Sequence, residues 1–144
     1  MEVGKRILVV DDQAGVRSLL RIILQDAGYE VYTAVNGIEA VRKVEECGIP
    51  FVLMDVRMPG LDGFQAMLQM VKQNPDVKVV LMTAFSDENL IQQALQEGAI
   101  GYLTKPFDVY QLRERIDRMW DATIGSGWLV RAGGAENRKT GTST

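Results

Sequence analysis

The sequence predicts an α/β protein: a doubly wound (βα)5 sandwich built on a parallel sheet of five strands. Three observations predict it. Short apolar runs alternate five times with amphipathic stretches of helical spacing. Several of those runs contain no polar residue, as strands covered on both faces require. The connections are short, which suits right-handed crossovers between parallel neighbours.

Each element has its own signal. "RILVV" (6–10) reads as the first strand. The helix after it carries Val16, Leu19, Leu20 and Ile23 at helical spacing and stops at Gly28, a good C-terminal residue. "EVYTA" is a weaker strand, with Val31 and Thr33 alternating against Tyr32. Asn36-Gly37 reads as a turn, and Ile38 to Glu46 as the second helix. "FVLMD" is the third strand, apolar until Asp55, and the loop "VRMPGLDG" holds one Pro and two Gly. A helix over about Phe64 to Gln73 places Phe64, Met67, Leu68 and Val71 on one face. "VKVVLMT" is strand four. Ser86 or Asp87 caps the next helix, whose face is Leu90, Ile91, Ala94 and Leu95 and whose end is Gly98. "IGYLTK" is strand five, and the last helix begins near Asp108, turning Val109, Leu112, Ile116 and Met119 inward. Residues 1–124 thus form one domain. Residues 125–144, "GSGWLVRAGGAENRKTGTST", are rich in Gly, Ser and Thr and predict a flexible tail or the start of a linker.

Composition narrows the function. At 144 residues the chain is one domain long, with 47% hydrophobic and 24% charged residues, as in ordinary globular proteins. No apolar run approaches the roughly 20 residues of a membrane span, and "MEVGKRILVVDD" lacks the features of a signal peptide, so a cytoplasmic protein is expected. A single cysteine, Cys47, rules out an internal disulfide framework. The absence of His argues against zinc or copper sites and against histidine acid–base catalysis. Net charge is −3; the tail carries Arg131, Arg138 and Lys139 against Glu136, a net +2, which leaves −5 on the rest. An acidic domain without a basic stripe is a poor direct binder of nucleic acid.

Chemistry concentrates at the strand ends, where sites form in open α/β sheets. Strand one ends in Asp11 and Asp12, strand three in Asp55, strand four in Thr83 and strand five in Lys105. Three carboxylates on one edge need a cation, and an oxygen-only donor set selects a hard divalent ion, with Mg2+ the one expected. Magnesium takes only one or two carboxylates, so one is left as a nucleophile; Asp55, alone beside the "MPG" turn, suits that part. Its attack on a phosphoryl group would give an acyl phosphate, with Lys105 and Thr83 reaching the phosphoryl oxygens. Met54, Met58, Met67, Met70 and Met82 read as core or loop filling, and Asp62 as a turn residue rather than a further ligand.

Together these residues resemble the receiver domain of bacterial two-component response regulators over about residues 5 to 122. The resemblance rests on "DD", "DVRMPGLDG", "MTA" and "KPFD" in that order. It implies the flavodoxin-like strand order 2-1-3-4-5. It makes Asp11 and Asp12 the metal-site acids, Asp55 the phosphorylated aspartate and a metal ligand, and the backbone carbonyl of Arg57 a further ligand. Thr83 becomes the switch hydroxyl, Lys105 the phosphate-binding lysine and Tyr102 the aromatic switch residue, and the Lys105–Pro106 bond is expected to be cis. Implied partners are a sensor histidine kinase and a histidine phosphotransferase, with the domain a monomer or weak homodimer. "DDQAGVR" and "LIQQALQEGA" are most similar to the single-domain receivers of sporulation phosphorelays, where Gln13 matches the partner-docking surface. Arg57 and Phe85, each two residues beyond Asp55 and Thr83, would overhang the phosphoryl group and slow its hydrolysis.

Two other readings stand beside this one. Receivers joined to transcriptional activators share "MTA" and "KPFD", so the chain could be the receiver part of a larger regulator. A Mg2+-dependent phosphohydrolase of the haloacid-dehalogenase type expects its nucleophile after strand one, with a second Asp two residues on. Gln13 follows Asp11 at that spacing and Arg57 follows Asp55, so neither fits. No "GxxxxGK[ST]" occurs, which excludes a P-loop enzyme.

Overall fold

The computed structural model describes residues 4–84 and 88–125. The strands are β1 (Lys5–Val10), β2 (Tyr29–Ala34), β3 (Phe51–Asp55), β4 (Lys78–Ala84) and β5 (Gly101–Lys105). Between and after them lie α1 (Ala14–Asp26), α2 (Gly37–Cys47), α3 (Gly63–Gln73), α4 (Glu88–Glu97) and α5 (Val109–Trp120). All strand pairs are parallel, and the sheet runs β2-β1-β3-β4-β5. The expected fold and strand order are therefore the observed ones.

The apolar runs explain the middle of the sheet. Ile7 to Val10 in β1, Phe51 to Met54 in β3 and Val79 to Met82 in β4 are all fully buried. A fully buried side chain of this size is worth about 1.5–3 kcal/mol, which fixes these three strands at the centre. β2 is the edge strand, and there the expected alternation is lost: Val31, Tyr32 and Thr33 are all half-buried. An edge strand has a neighbour on one side only, so neither of its faces is covered as fully as those of a central strand. The five methionines read as filling are indeed buried.

Helix ends and faces correct the expectation at four residues. Asn36 is not a turn residue but the cap of α2: its Oδ1 accepts from Glu39 N–H at 2.8 Å, while Glu39 Oε1 accepts from Val35 N–H at 2.7 Å. Asn serves caps as readily as turns, so the dipeptide alone could not distinguish them. Leu19, Leu95 and Val109, expected inward, are exposed by 44%, 38% and 41%, whereas Leu24 is fully buried. The apolar stripes of these helices are wider than the contacts the sheet makes with them. α1 does end as predicted, with Gly28 at φ +99, and α4 with Gly98 at φ +130.

Packing divides the chain into two units, with the boundary between Arg113 and Glu114 inside α5. All five strands belong to the first unit. In the second, Arg118 pairs with Glu114 at 2.9 Å, Thr123 Oγ1 donates to the Met119 carbonyl at 2.6 Å, and a π-helical turn covers Asp121–Gly125. Residues 126–144 of the expected tail, and the expected cap residues Ser86 and Asp87, lie outside the described residues. Among the described residues no helix is long and apolar enough to cross a membrane.

Candidate functional site

Register brings the polar strand ends together. Val10 is level with Met54, Asp55 with Met82, Thr83 with Thr104, and Ala84 with Lys105. Asp11, Asp55, Thr83 and Lys105 therefore step along one edge of the sheet within two residues of the same level.

Asp11 has no solvent exposure. Its Oδ1 accepts from Gln13 N–H at 2.9 Å, its Oδ2 from Lys105 Nζ at 2.8 Å, and its backbone carbonyl from Arg17 at 2.8 Å. Asp12, the next residue, is exposed. Asp55 is 8% exposed, with Lys105 Nζ 3.4 Å from its Oδ2 and Arg57 N–H 3.4 Å from its Oδ1. Thr83 is buried at the end of β4. Asp62, expected as a turn residue, is the N-cap of α3, its Oδ1 accepting from Gln65 N–H at 2.8 Å.

Electrostatics set the demand of the site. Asp11, Asp12 and Asp55 each offer a carboxylate oxygen within 4.8 Å of the others. Unit charges about 4 Å apart repel by roughly 4 kcal/mol at an effective dielectric of about 20. One ammonium, that of Lys105, cannot balance three carboxylates. Burial pushes the Asp55 carboxyl above the usual carboxylate range; Asp11 adds to the rise and Lys105 opposes it. For Lys105 burial works against the charge, but the hydrogen bond to Asp11 and the field of Asp55 outweigh it, so its ammonium is held more firmly than usual. The donors are all oxygen, carboxylate in type and partly exposed through Asp12. Such a set fits a hard divalent cation.

The sequence matches the response regulator receiver domain over residues 7–117. The chain belongs to that family. This receiver is 33% identical over 115 residues to sporulation initiation phosphotransferase F of Bacillus subtilis, covering 80% of this chain and 93% of that protein. It is 38% identical over 121 residues to the transcriptional regulatory protein ZraR of Salmonella typhimurium, covering 84% of this chain but 27% of that longer protein. A solved structure of a CheY-like receiver domain protein from Methanospirillum hungatei superposes with a TM-score of 0.81 at 28% identity, over 86% of this chain and 99% of that one. The same domain thus occurs among its relatives both alone and as part of a longer chain.

Of the residues expected at the site of this receiver, Lys105 pairs with Asp11 and Asp55, Asp12 brings a carboxylate oxygen within 4.8 Å of both acids, and Thr83 stands in the same row. The Lys105–Pro106 bond is cis, as expected. Arg57 is exposed and meets Asp55 through its backbone N–H. Tyr102 lies on β5 level with Leu81, 38% exposed. Gln13 is exposed at the N-cap position of α1. Phe85 lies outside the described residues. Sequence reasoning missed two things. Arg17 holds the Asp11 carbonyl from the first turn of α1, and the Gln13 N–H orients the Asp11 carboxylate. An Asp two residues before the N-cap of a helix is the one signal that could have suggested the second.

Proposed function

We propose that this receiver accepts a phosphoryl group from a phosphohistidine onto Asp55 and relays it to a partner protein. The observation that carries this reading is the position of Asp55. It is a nearly buried carboxylate at a strand end, with two other acids within 4.8 Å and an ammonium at 3.4 Å. An Asp55 carboxylate oxygen attacks phosphorus while the P–N bond of the phosphohistidine breaks. The electron pair leaves with the imidazole nitrogen, and the product is an acyl phosphate.

The chain's own residues then orient and neutralise. Asp11, Asp12, Asp55 and the Arg57 carbonyl would hold Mg2+. Bound there, the ion supplies positive charge against the acids and the phosphoryl oxygens. Lys105 has three N–H donors and uses one on Asp11, so another can meet a phosphoryl oxygen. The Thr83 hydroxyl would donate to a second such oxygen. Its movement would open space for Tyr102, so that charge at Asp55 shifts a population between two existing states. Gln13, exposed above Asp11, would lie in the docking surface for a histidine kinase and a histidine phosphotransferase. Arg57 and Phe85 would shield the acyl phosphate from water. The protein turns over no separate substrate in this reading and acts in the cytoplasm without direct contact to nucleic acid, as a monomer or weak homodimer.

Likeness to sporulation initiation phosphotransferase F supports the relay form. Likeness to part of ZraR supports a second form, in which the same reaction governs an output domain of a transcriptional regulator. The reaction itself is tested by adding acetyl phosphate and Mg2+ and measuring intact mass. One phosphoryl group should be gained by the wild type and none by Asp55→Ala. Equal labelling of both proteins would refute the assignment.

A further inference from the structure

Two glycines outside the charged cluster bear on the loop that carries Asp55. A Cβ on Gly63, the first residue of α3, would overlap the Asp55 carbonyl oxygen and lie 2.8 Å from Val56 Cα. The Gly63 N–H also donates to the Val56 carbonyl at 2.8 Å, which closes residues 56–63 back onto the end of β3. A Cβ on Gly37, the first residue of α2, would overlap the Leu61 carbonyl oxygen and lie 3.1 Å from Ala66 Cβ. The loop is therefore in backbone contact at both of its ends, with β3 through Gly63 and with α2 through Gly37.

Backbone conformation does not account for either glycine. Positive φ occurs at Gly28, Gly48, Gly60 and Gly98, and neither Gly37 nor Gly63 shares it. Both open helices, where glycine is the poorest helix former after proline. Close approach is the physical reason that remains. The start of α2 is fastened by two hydrogen bonds, Asn36 Oδ1 accepting from Glu39 N–H at 2.8 Å and Glu39 Oε1 from Val35 N–H at 2.7 Å. Between the two contacts, Val56 and Met58 are anchored in the core while Arg57 is exposed.

We infer that Gly37 is a positioning residue for phosphorylation: the first turn of α2, through the Leu61 carbonyl and Gly63, sets the backbone from which the Asp55 carboxylate reaches phosphorus. This rests on the reading of Asp55 as phosphoacceptor. A side chain at position 37 pushes Leu61, and the displacement passes along a loop of seven residues to Asp55. Small displacements of a reacting group cost large factors in rate, up to about a hundredfold for roughly 1 Å.

The test uses the full chain and acetyl phosphate at saturating donor and Mg2+, at a temperature where each protein is fully folded. Gly37→Ala should lower the saturated phosphorylation rate roughly tenfold. Gly15→Ala, where a Cβ meets nothing within 4 Å, should leave it at the wild-type value. A purely structural loss would lower the melting temperature and leave the rate per folded molecule unchanged. The amide NMR signals of Val56 and Gly63 should shift in Gly37→Ala while those of Leu8 and Val9 hold. If Gly37→Ala does not fold, Asn36→Ala loosens the start of α2 without adding volume there and should slow the rate about threefold. A wild-type rate in a folded Gly37→Ala, or in Asn36→Ala where that variant is the one measured, overturns the inference and leaves Asp55 as acceptor. A wild-type protein that gains no phosphoryl group, or an Asp55→Ala variant that does, overturns the acceptor reading and this inference with it.

Discussion

Lys105 and Asp11 form the closest ion pair of the site, Nζ to Oδ2 at 2.8 Å, with the carboxylate wholly buried and the ammonium side chain 24% exposed. The lysine thus holds the first acid as well as facing the third, at 3.4 Å. Lys105→Met strands a buried carboxylate that keeps, among the described residues, the Gln13 N–H as its hydrogen-bond donor. It should cost about 3 kcal/mol in the absence of divalent cations, read as a lower urea midpoint. An unchanged midpoint would show that the pair does not stabilise the fold.

Asp55 gives stability a pH dependence of defined sign. Its folded-state carboxyl holds its proton to higher pH than the unfolded one. Stability is therefore lost as pH rises from the ordinary carboxylate range through the folded value, and the full penalty applies above it. With a chelator present, Asp55→Asn should be more stable than wild type at neutral pH. The two should converge as pH falls below the ordinary carboxylate range. A series of melting temperatures against pH checks this, and a gap of constant size would contradict it.

Cation binding should be visible without any phosphodonor. A ligand at a hundred times its Kd stabilises the folded state by about 2.7 kcal/mol. Mg2+ at that level should raise the melting temperature of the wild type accordingly. Asp12→Asn should lose most of the rise while keeping close to wild-type stability without metal, because Asp12 is exposed.

Arg57 is exposed two residues beyond Asp55, and its backbone N–H faces the Asp55 Oδ1 at 3.4 Å. In the proposed reading its guanidinium limits water access to an acyl phosphate on Asp55. Arg57→Asn should shorten the lifetime of the acyl phosphate several-fold at equal phosphorylation rate, followed by mass after removal of the donor. An unaltered lifetime would remove Arg57 from that role.

Much of this arrangement was legible in the sequence because it rests on local contrasts. A polar residue directly after a buried apolar run marks a strand end, and Asp11, Asp55 and Thr83 follow that rule, while Lys105 ends β5 after Thr104 in a strand whose one buried residue is Leu103. What was not legible depends on distant partners. Asn36 could be a turn or a cap until Glu39 was seen to answer it. The exposure of Leu19 and Val109 depends on how far the sheet extends beneath their helices. The close approach of Gly37 to Leu61 joins residues 24 positions apart and leaves no periodic trace.

The staggered pairing of β1, β3, β4 and β5 has a last consequence. A slip of one residue between any two of these strands would turn one of the chemical groups to the opposite side of the sheet. In the proposed reading, competence to accept phosphate therefore depends on the register of four strands of one open sheet.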